Sequence, residues 1–384
     1  MNTNKIGVLG VGKLGLSFAL LAEQKGYGVI GCDTRMDYVQ SLNNKTFTTT
    51  EPHINEYLQN SQTFMATTDL GAVVLYADIL YCFVATPSLP DGSYDHSAID
   101  RIVNNLQELH VKGFNMEEKY LVIGCTTMPG YCESIAKRLS ATGISVCYNP
   151  EFIAQGDIIN GLKTADMVLI GCDKGAHYVL SDIYTRIMDI TPNIRAMSTT
   201  AAELTKISIN CFLTMKIAYA NMIGEIAINS GVENEISTIL SAIGADTRIG
   251  NKYLSYGFGY GGPCLPRDMM ALGRHAGSVD ISDLLPLTID SINSGHTWYL
   301  LDYYKARNQD KNMPFIFTQL SYKKGTEMLV ESQQYRLCKE LLDEGYKVDI
   351  TESPVVIEQV KKELHQYKDQ ITYGGLITGY KIDL

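Results

Sequence analysis

The sequence predicts an α/β protein with three parts: an N-terminal Rossmann-type parallel sheet, a long central helix with a helical domain, and a smaller C-terminal α/β domain. Three observations carry this reading. Short apolar runs alternate with amphipathic stretches up to about residue 172. A proline-free stretch from Thr199 to Ser230 places apolar residues at helical spacing. Strand and helix signals then alternate again after about residue 312.

The elements follow in order. Residues 5–10 (KIGVLG) are apolar and end in glycine, Leu14 to Lys25 is amphipathic, and Gly28 to Cys32 is apolar again. This is a strand–helix–strand unit with a short crossover. Further runs are ILYCFVA (79–85), YLVIGC (120–125), ISVCYN (144–149) and DMVLIGC (166–172). Strands spaced by helices in this way imply a parallel sheet covered on both faces. In the central stretch Thr199 or Thr200 caps the helix start, Gly224 is the lone glycine, and Gly231 follows the end. Helix is expected to continue to about residue 245, a glycine-rich loop runs from Gly257 to Gly262, and helices resume from about Pro266 to Ala306. MPFIFTQLSY reads as a strand, Ser332 to Gly345 as a helix and YKVDIT as a strand. The domain boundaries this gives are 1–198, 199–308 and 309–384, with no repeat of 20–50 residues.

Composition narrows the function classes. The chain has 384 residues, 45% hydrophobic and 19% charged, as expected of a globular protein of two or three domains. The net charge is −10 and no basic block stands out, which argues against a nucleic-acid partner. No uninterrupted apolar run approaches the roughly 18 residues of a membrane span, and MNTNKIGVLG lacks the regions of a signal peptide. Nine cysteines, scattered and without a CxxC pair, fit a reducing cytoplasm and call for no metal.

Gly10-Val11-Gly12-Lys13-Leu14-Gly15 matches G-x-G-x-x-G after a strand and at the opening of a helix. The next strand ends at Asp33, 18 positions after Gly15. In this context the glycines allow a tight turn, close approach of a pyrophosphate and close helix–sheet packing, and Asp33 accepts from a ribose hydroxyl. The reading is a dinucleotide site, with Asp33 favouring NAD over NADP. Arg35 nearby could instead accept a 2′-phosphate.

Lys206 and Asn210 lie four apart on the long helix, hence on one face. Together they can hold an oxygen that gains negative charge, or they can be an exposed lysine beside a solvated asparagine. Cys264, in GFGYGGPCLPRD, follows four glycines and precedes a helix start at Pro266. A helix N-terminus makes thiolate accessible, so Cys264 is either a nucleophile or an inert buried thiol. Asp268, one turn on, can accept a proton. Glu151, in Asn149-Pro150-Glu151-Phe152, ends a strand where α/β sheets bind ligands, and is either a base or a surface glutamate.

With these residues in place the chain resembles the UDP-glucose/GDP-mannose dehydrogenase family. The resemblance spans nearly the whole length, in order: GVGKLG with Asp33, VATP (84–87), TTMPG (126–130), NPEFIAQG (149–156), AELTKISINCFLTMKIAYANMIGEIA (202–227), RIGNKYL (248–254), GFGYGGPCLPRD and SYKKGT (321–326). It implies an NAD-binding domain with Gly10–Gly15, Asp33, Thr86 and Thr127 at the cofactor. It implies that Thr127 orients water, Glu151 transfers protons, Lys206 and Asn210 stabilise the reacting oxygen, Cys264 is the nucleophile and Asp268 activates water. Phe152, Ile153, Tyr253, Gly261, Lys323 and Arg248 join Glu151, Lys206 and Asn210 at the substrate, with Arg248 reaching a neighbouring subunit's site in a homodimer.

The implied reaction takes the 6-hydroxyl of a nucleotide-hexose to a carboxylate through a cysteine adduct, a step in polysaccharide biosynthesis, with UDP-glucose the first choice and GDP-mannose the second. Three positions depart from the pattern, Gln155 standing for a glutamate, Val330 for an arginine and Gln319 for a glycine, and the C-terminal domain is short. Two other readings exist. A β-hydroxyacid dehydrogenase performs one oxidation and needs no cysteine. A nucleotide-sugar-binding protein would not turn over.

Overall fold

The computed structural model describes residues 4–153, 156–173, 175–375 and 378–382. The chain divides into two compact units, Met1–Lys206 and Ile207–Leu384.

The first unit is built on eight strands: β1 (Lys5–Leu9), β2 (Gly28–Cys32), β3 (Met65–Thr67), β4 (Ile79–Cys82), β5 (Tyr120–Ile123), β6 (Ser145–Tyr148), β7 (Val168–Gly171) and β8 (Ile194–Met197). Their order in the sheet is β3-β2-β1-β4-β5-β6-β7-β8. Helices fill the connections: α1 (Lys13–Gln24), α2 (Met36–Asn43), α3 (Ile54–Asn60), α4 (Leu70–Tyr76), α5 (Ser97–Val111), α6 (Tyr131–Leu139), α7 (Ile158–Lys163) and α8 (Ala176–Ile187). The strand order reverses between β1 and β4, the place where doubly wound sheets open a crevice for ligands.

Residues of the strands alternate between two apolar layers. Ile79 and Tyr81 of β4 belong to one, with Ile6, Val8, Phe18 and Leu20, while Leu80 and Cys82 belong to the other, with Leu9, Ile123 and Tyr148. Both faces of the sheet are therefore covered, which is why its strands read as continuous apolar runs. The expectation of an all-parallel sheet needs one correction. β6 and β7 meet in a single antiparallel bridge, Tyr148↔Gly171, and β8 runs parallel to β7. β7 is therefore reversed relative to β6. This places NPEF at the carboxyl end of the parallel strands.

α9 (Thr199–Asn229) is the long helix the sequence predicts. Its first turns cross β7 closely, since a Cβ on Gly171 would lie 2.7 Å from Ala202 Cβ. By length and composition alone α9 would pass as a membrane span, and 39% of its most apolar window is buried within the protein. Its uninterrupted apolar runs are short because Glu203, Lys206, Asn210, Thr214 and Asn221 break them.

In the second unit α9 is followed by α10 (Ile236–Ala245), α11 (Leu265–Ser278) and α12 (Leu284–Arg307). A second sheet then forms from β9 (Phe315–Phe317), β10 (Val348–Ile350), β11 (Ile371–Tyr373) and β12 (Tyr380–Lys381), in the order β11-β10-β9-β12, all parallel. α13 (Gln333–Asp343) and α14 (Pro354–Glu363) pack beside it, each capped by a serine whose hydroxyl accepts from the first turn: Ser332 from Tyr335 N, Ser353 from Val356 N. Leu300, Leu301 and Tyr304 of α12 share one core with Phe315, Phe317 and Leu337, so apolar packing runs across the sequence boundary at 308/309.

Candidate active site

In the first unit, the loop from β1 into α1 gives each glycine a separate physical reason. Gly10 has φ +88° and a Cβ there would lie 2.6 Å from Phe83 O, at the point where strand order reverses. A Cβ on Gly15 would lie 2.0 Å from Gly10 O, so Gly15 lets the helix press onto the turn. At Gly12 a Cβ would meet no protein atom within 4 Å. Gly12 also stands at the α1 N-cap with no side-chain cap bond, so this open face suits a pyrophosphate on helix N–H groups. Val11 is buried and its carbonyl accepts from Tyr38 Oη, Leu14 packs inward, and Lys13 is exposed. NAD fits this cradle.

Asp33 follows β2, and its carboxylate is held by Arg35. Nε reaches Oδ1 at 2.9 Å and Nη2 reaches Oδ2 at 3.1 Å. The guanidinium also lies 4.2 Å over the Tyr38 ring. Burial pushes the Asp33 carboxyl up, but the Arg35 contacts outweigh it and hold the group below its ordinary value. Arg35 is thus placed where it can soften repulsion of a 2′-phosphate.

The same unit gathers a second set of side chains around the NPEF segment and the start of α9. Lys206 Nζ donates to the Glu151 carbonyl at 2.5 Å and lies 4.3 Å over the Phe152 ring. Lys206 is buried, which removes the reading of an exposed lysine. Burial pushes the Glu151 carboxyl up to about 7, against the opposing pull of the Tyr184 hydroxyl and the Lys206 charge. That value suits a group that both gives and takes a proton near neutrality. Ile153 packs on α7, where a Cβ on Gly161 would lie 2.5 Å from its Cγ2. Gln155 lies outside the described residues.

Thr127 is fully buried and its hydroxyl donates to Glu203 Oε1 at 2.8 Å. Glu203 also accepts from Cys132 N at 2.8 Å and, through Oε2, from Gly130 N at 2.7 Å. Thr86 Oγ1 donates to Thr126 O at 2.8 Å and ties the same loop from the β4 side. Glu51 caps the approach to α7, accepting from Ile158 N at 2.8 Å. Sequence reasoning missed Glu203, Glu51 and Tyr184. A signal existed for Glu203 alone: a carboxylate within an apolar helical stretch, three residues before Lys206.

The second unit carries Asn210, Cys264 and Asp268. Asn210 Nδ2 donates to Asp268 Oδ2 at 2.6 Å. Asp268 is 1% exposed, and Arg267 Nε lies 3.4 Å from its Oδ1. Asn210 is thus a hydrogen-bond partner of Asp268 and not a solvated amide. Cys264 is the N-cap residue of α11, with proline in the first turn, and Asp268 N donates to its carbonyl at 2.9 Å. Its side chain is exposed. Among the nine cysteines it is the one so placed, six being buried and Cys32 and Cys172 half-buried.

The glycines before Cys264 leave room for close approach of other protein atoms. They bring the loop against its own unit: a Cβ on Gly261 would lie 2.2 Å from Glu331 O, on Gly262 2.5 Å from the Tyr322 ring, and on Gly259 2.1 Å from Asn293 Oδ1. Gly262 N donates to Val330 O at 3.0 Å. Buried His296 adds a brace, bonding Glu225 Oε1 at 2.6 Å and Gly257 O at 2.8 Å. The loop is rigidly held on the 322–333 segment, and Cys264 is presented from it. Lys323 is exposed, as is Tyr253, at φ +62°. Arg248 is exposed and pairs with Asp246.

Two family models, several known proteins and a solved structure match the chain. Residues 4–188 match the family model described as the UDP-glucose/GDP-mannose dehydrogenase family, NAD binding domain, and residues 200–294 match the central domain of the same family. A UDP-glucose 6-dehydrogenase of Haloferax volcanii is 27% identical over 373 residues, covering 93% of this chain and 85% of the relative. A GDP-mannose 6-dehydrogenase of Pseudomonas aeruginosa is 27% identical over 381 residues, covering 94% and 84%. The solved structure of a UDP-glucose dehydrogenase from Pyrobaculum islandicum superimposes with a TM-score of 0.84 at 26% identity, covering 97% of this chain and 86% of that one.

Proposed function

Because this chain belongs to the UDP-glucose/GDP-mannose dehydrogenase family, we propose that it oxidises the C6 hydroxyl of UDP-glucose to UDP-glucuronate, with GDP-mannose as the second candidate substrate. It is an NAD-dependent nucleotide-sugar 6-dehydrogenase. The observation that carries the mechanism is the exposed Cys264 thiol at the N-terminus of α11, one turn before the buried, Asn210-bonded carboxylate of Asp268.

Taking an alcohol to an acid removes four electrons. NAD supplies the hydride acceptor for each two-electron step, so one substrate consumes two NAD and one water. Glu151, titrating near neutrality, takes the hydroxyl proton of the first step. Lys206 and Asn210 stabilise the reacting oxygen. The Cys264 thiolate adds to the aldehyde carbon to give a thiohemiacetal, favoured by the positive end of α11. Its oxidised form, a thioester, is attacked by water, and Asp268 accepts the water's proton while the thiolate leaves. A β-hydroxyacid dehydrogenase would have no use for this cysteine.

Residues 1–198 are assigned to NAD, 199–308 to the helical and dimerising part, and 309–384 to the nucleotide-sugar. Phe212, Tyr219 and Ile226 are exposed on α9 at seven-residue intervals, a stripe that supports pairing with a second copy of the chain. Arg248 would complete the partner's site. The NPEF segment favours a simple hexose over a 2-acetamido sugar. The many thiols suit a reducing cytoplasm.

The test is a panel of UDP- and GDP-hexoses with NADH release and uronate measured together. Turnover of UDP-glucose with two NADH per uronate is expected. One NADH per substrate, with a ketone or aldehyde as end product, would contradict the reading.

A further inference from the structure

Tyr184, on α8, lies outside the motifs that carry the family resemblance. Its buried hydroxyl stands 2.7 Å from Asn149 Oδ1 and 2.7 Å from Glu151 Oε1. Asn149 Nδ2 donates to Leu169 O at 2.9 Å, which turns the amide oxygen toward the hydroxyl. A hydroxyl has one hydrogen, and here it faces two oxygens. If Glu151 is protonated, every group is satisfied: Glu151 donates to Tyr184 and Tyr184 donates to Asn149. If Glu151 is ionised, the single hydrogen must turn to the carboxylate, and Asn149 Oδ1 is left facing an oxygen lone pair away from water, which is costly.

We propose that Tyr184 is a positioning residue for proton transfer: sharing one hydrogen between Asn149 and Glu151, it aims the Glu151 carboxyl and couples its protonation to rotation of a buried hydroxyl. The consequence for turnover rests on the reading of Glu151 as the proton-transfer group; the coupling itself does not. The titratable and charged groups that face Glu151 come from three elements. Tyr184 comes from α8. Lys206 comes from α9, with its ammonium on the Glu151 carbonyl. Tyr81 comes from β4, its hydroxyl pushed up by burial and then by the Glu151 charge. Lys206 holds the main chain of Glu151 and Tyr184 holds its side chain, so together they fix where the carboxyl points.

The test follows Glu151 directly. Infrared difference spectra across a pH series are recorded for the full-length protein, and the protonated-carboxyl band lost in Glu151→Gln is assigned to Glu151. Tyr184→Phe keeps the ring and removes the hydroxyl. The ionised carboxyl loses a charge-assisted donor, so its titration should move up by about one pH unit. Asn149→Leu removes the competing acceptor and frees the hydrogen for the carboxylate, so the titration should move down. The kcat–pH inflection should move with each. Opposite shifts of the band establish the coupling, since general loosening of the fold would not change sign between the two variants. No shift, or shifts of the same sign, would overturn it. Opposite band shifts that the kcat inflection ignores would uphold the coupling and refute the role of Glu151 in turnover.

Discussion

Glu203 offers a perturbation whose size can be worked out from its contacts. Its carboxylate accepts from Thr127 Oγ1, Cys132 N and Gly130 N, and the residue has no exposed surface. Glu203→Leu removes the acceptor for all three. Thr127 can rotate its hydroxyl, but Gly130 N and Cys132 N belong to the backbone entering α6 and cannot. Each buried donor left without a partner costs roughly 1–3 kcal/mol. Water can recover part of this at Gly130, which is less buried than Cys132. A further part is returned because the wild-type carboxylate is itself costly to bury, as its raised titration from desolvation indicates. The expected net loss is about 3 kcal/mol. With a urea m-value of about 2–3 kcal/mol/M, the midpoint of the transition of the first unit should fall by about 1–1.5 M. Circular dichroism through a urea series, with and without NAD, reads this. NAD should also bind less tightly, because the TTMPG loop loses its anchor. A midpoint within about 0.3 M of wild type would refute the clamp.

Two further perturbations follow. Asp33 and Arg35 should set cofactor choice: NAD is expected to exceed NADP by at least about tenfold in kcat/KM, roughly 1.4 kcal/mol. Arg35→Ala should widen that gap and Asp33→Ala should narrow it, whereas equal efficiencies in the unmodified enzyme would show that Arg35 governs this end of the cradle. Mixing inactive Cys264→Ala and Arg248→Ala subunits should restore part of the activity through hybrids with one intact site, and no recovery despite demonstrated exchange would confine Arg248 to its own chain.

Much of the fold was legible because period and burial agree. β1, β2 and β4 read as apolar runs because both faces of each are covered, and α9 stood out by the absence of proline. β3 and β8 escaped notice because they are short edge strands, and Arg195 and Ala196 of β8 are exposed, leaving no apolar run to see. The reversal of β7 was equally invisible, since an apolar strand reads the same in either direction. At the site, Gly10, Gly12, Gly15, Asp33 and Cys264 were legible because backbone conformation and helix termini demand particular residues. The clamp at Glu203 and the Tyr184 bond to Glu151 were not, because contacts 33, 73 or 76 residues apart leave no spacing signal. The hold of Arg35 on Asp33, only two residues apart, depends on where the arginine side chain turns, which spacing does not fix. The run of glycines before Cys264 was plain in the sequence, but the neighbours that crowd it, Asn293 and the 322–333 segment, were not.

The covalent role of Cys264 is the central claim, and product analysis of Cys264→Ser with a nucleotide-hexose and excess NAD tests it most directly. The account predicts that acid formation stops, with at most slow release of aldehyde or a trapped ester on the serine, while the wild type yields two NADH per uronate. Near-normal uronate production by the serine variant would contradict it.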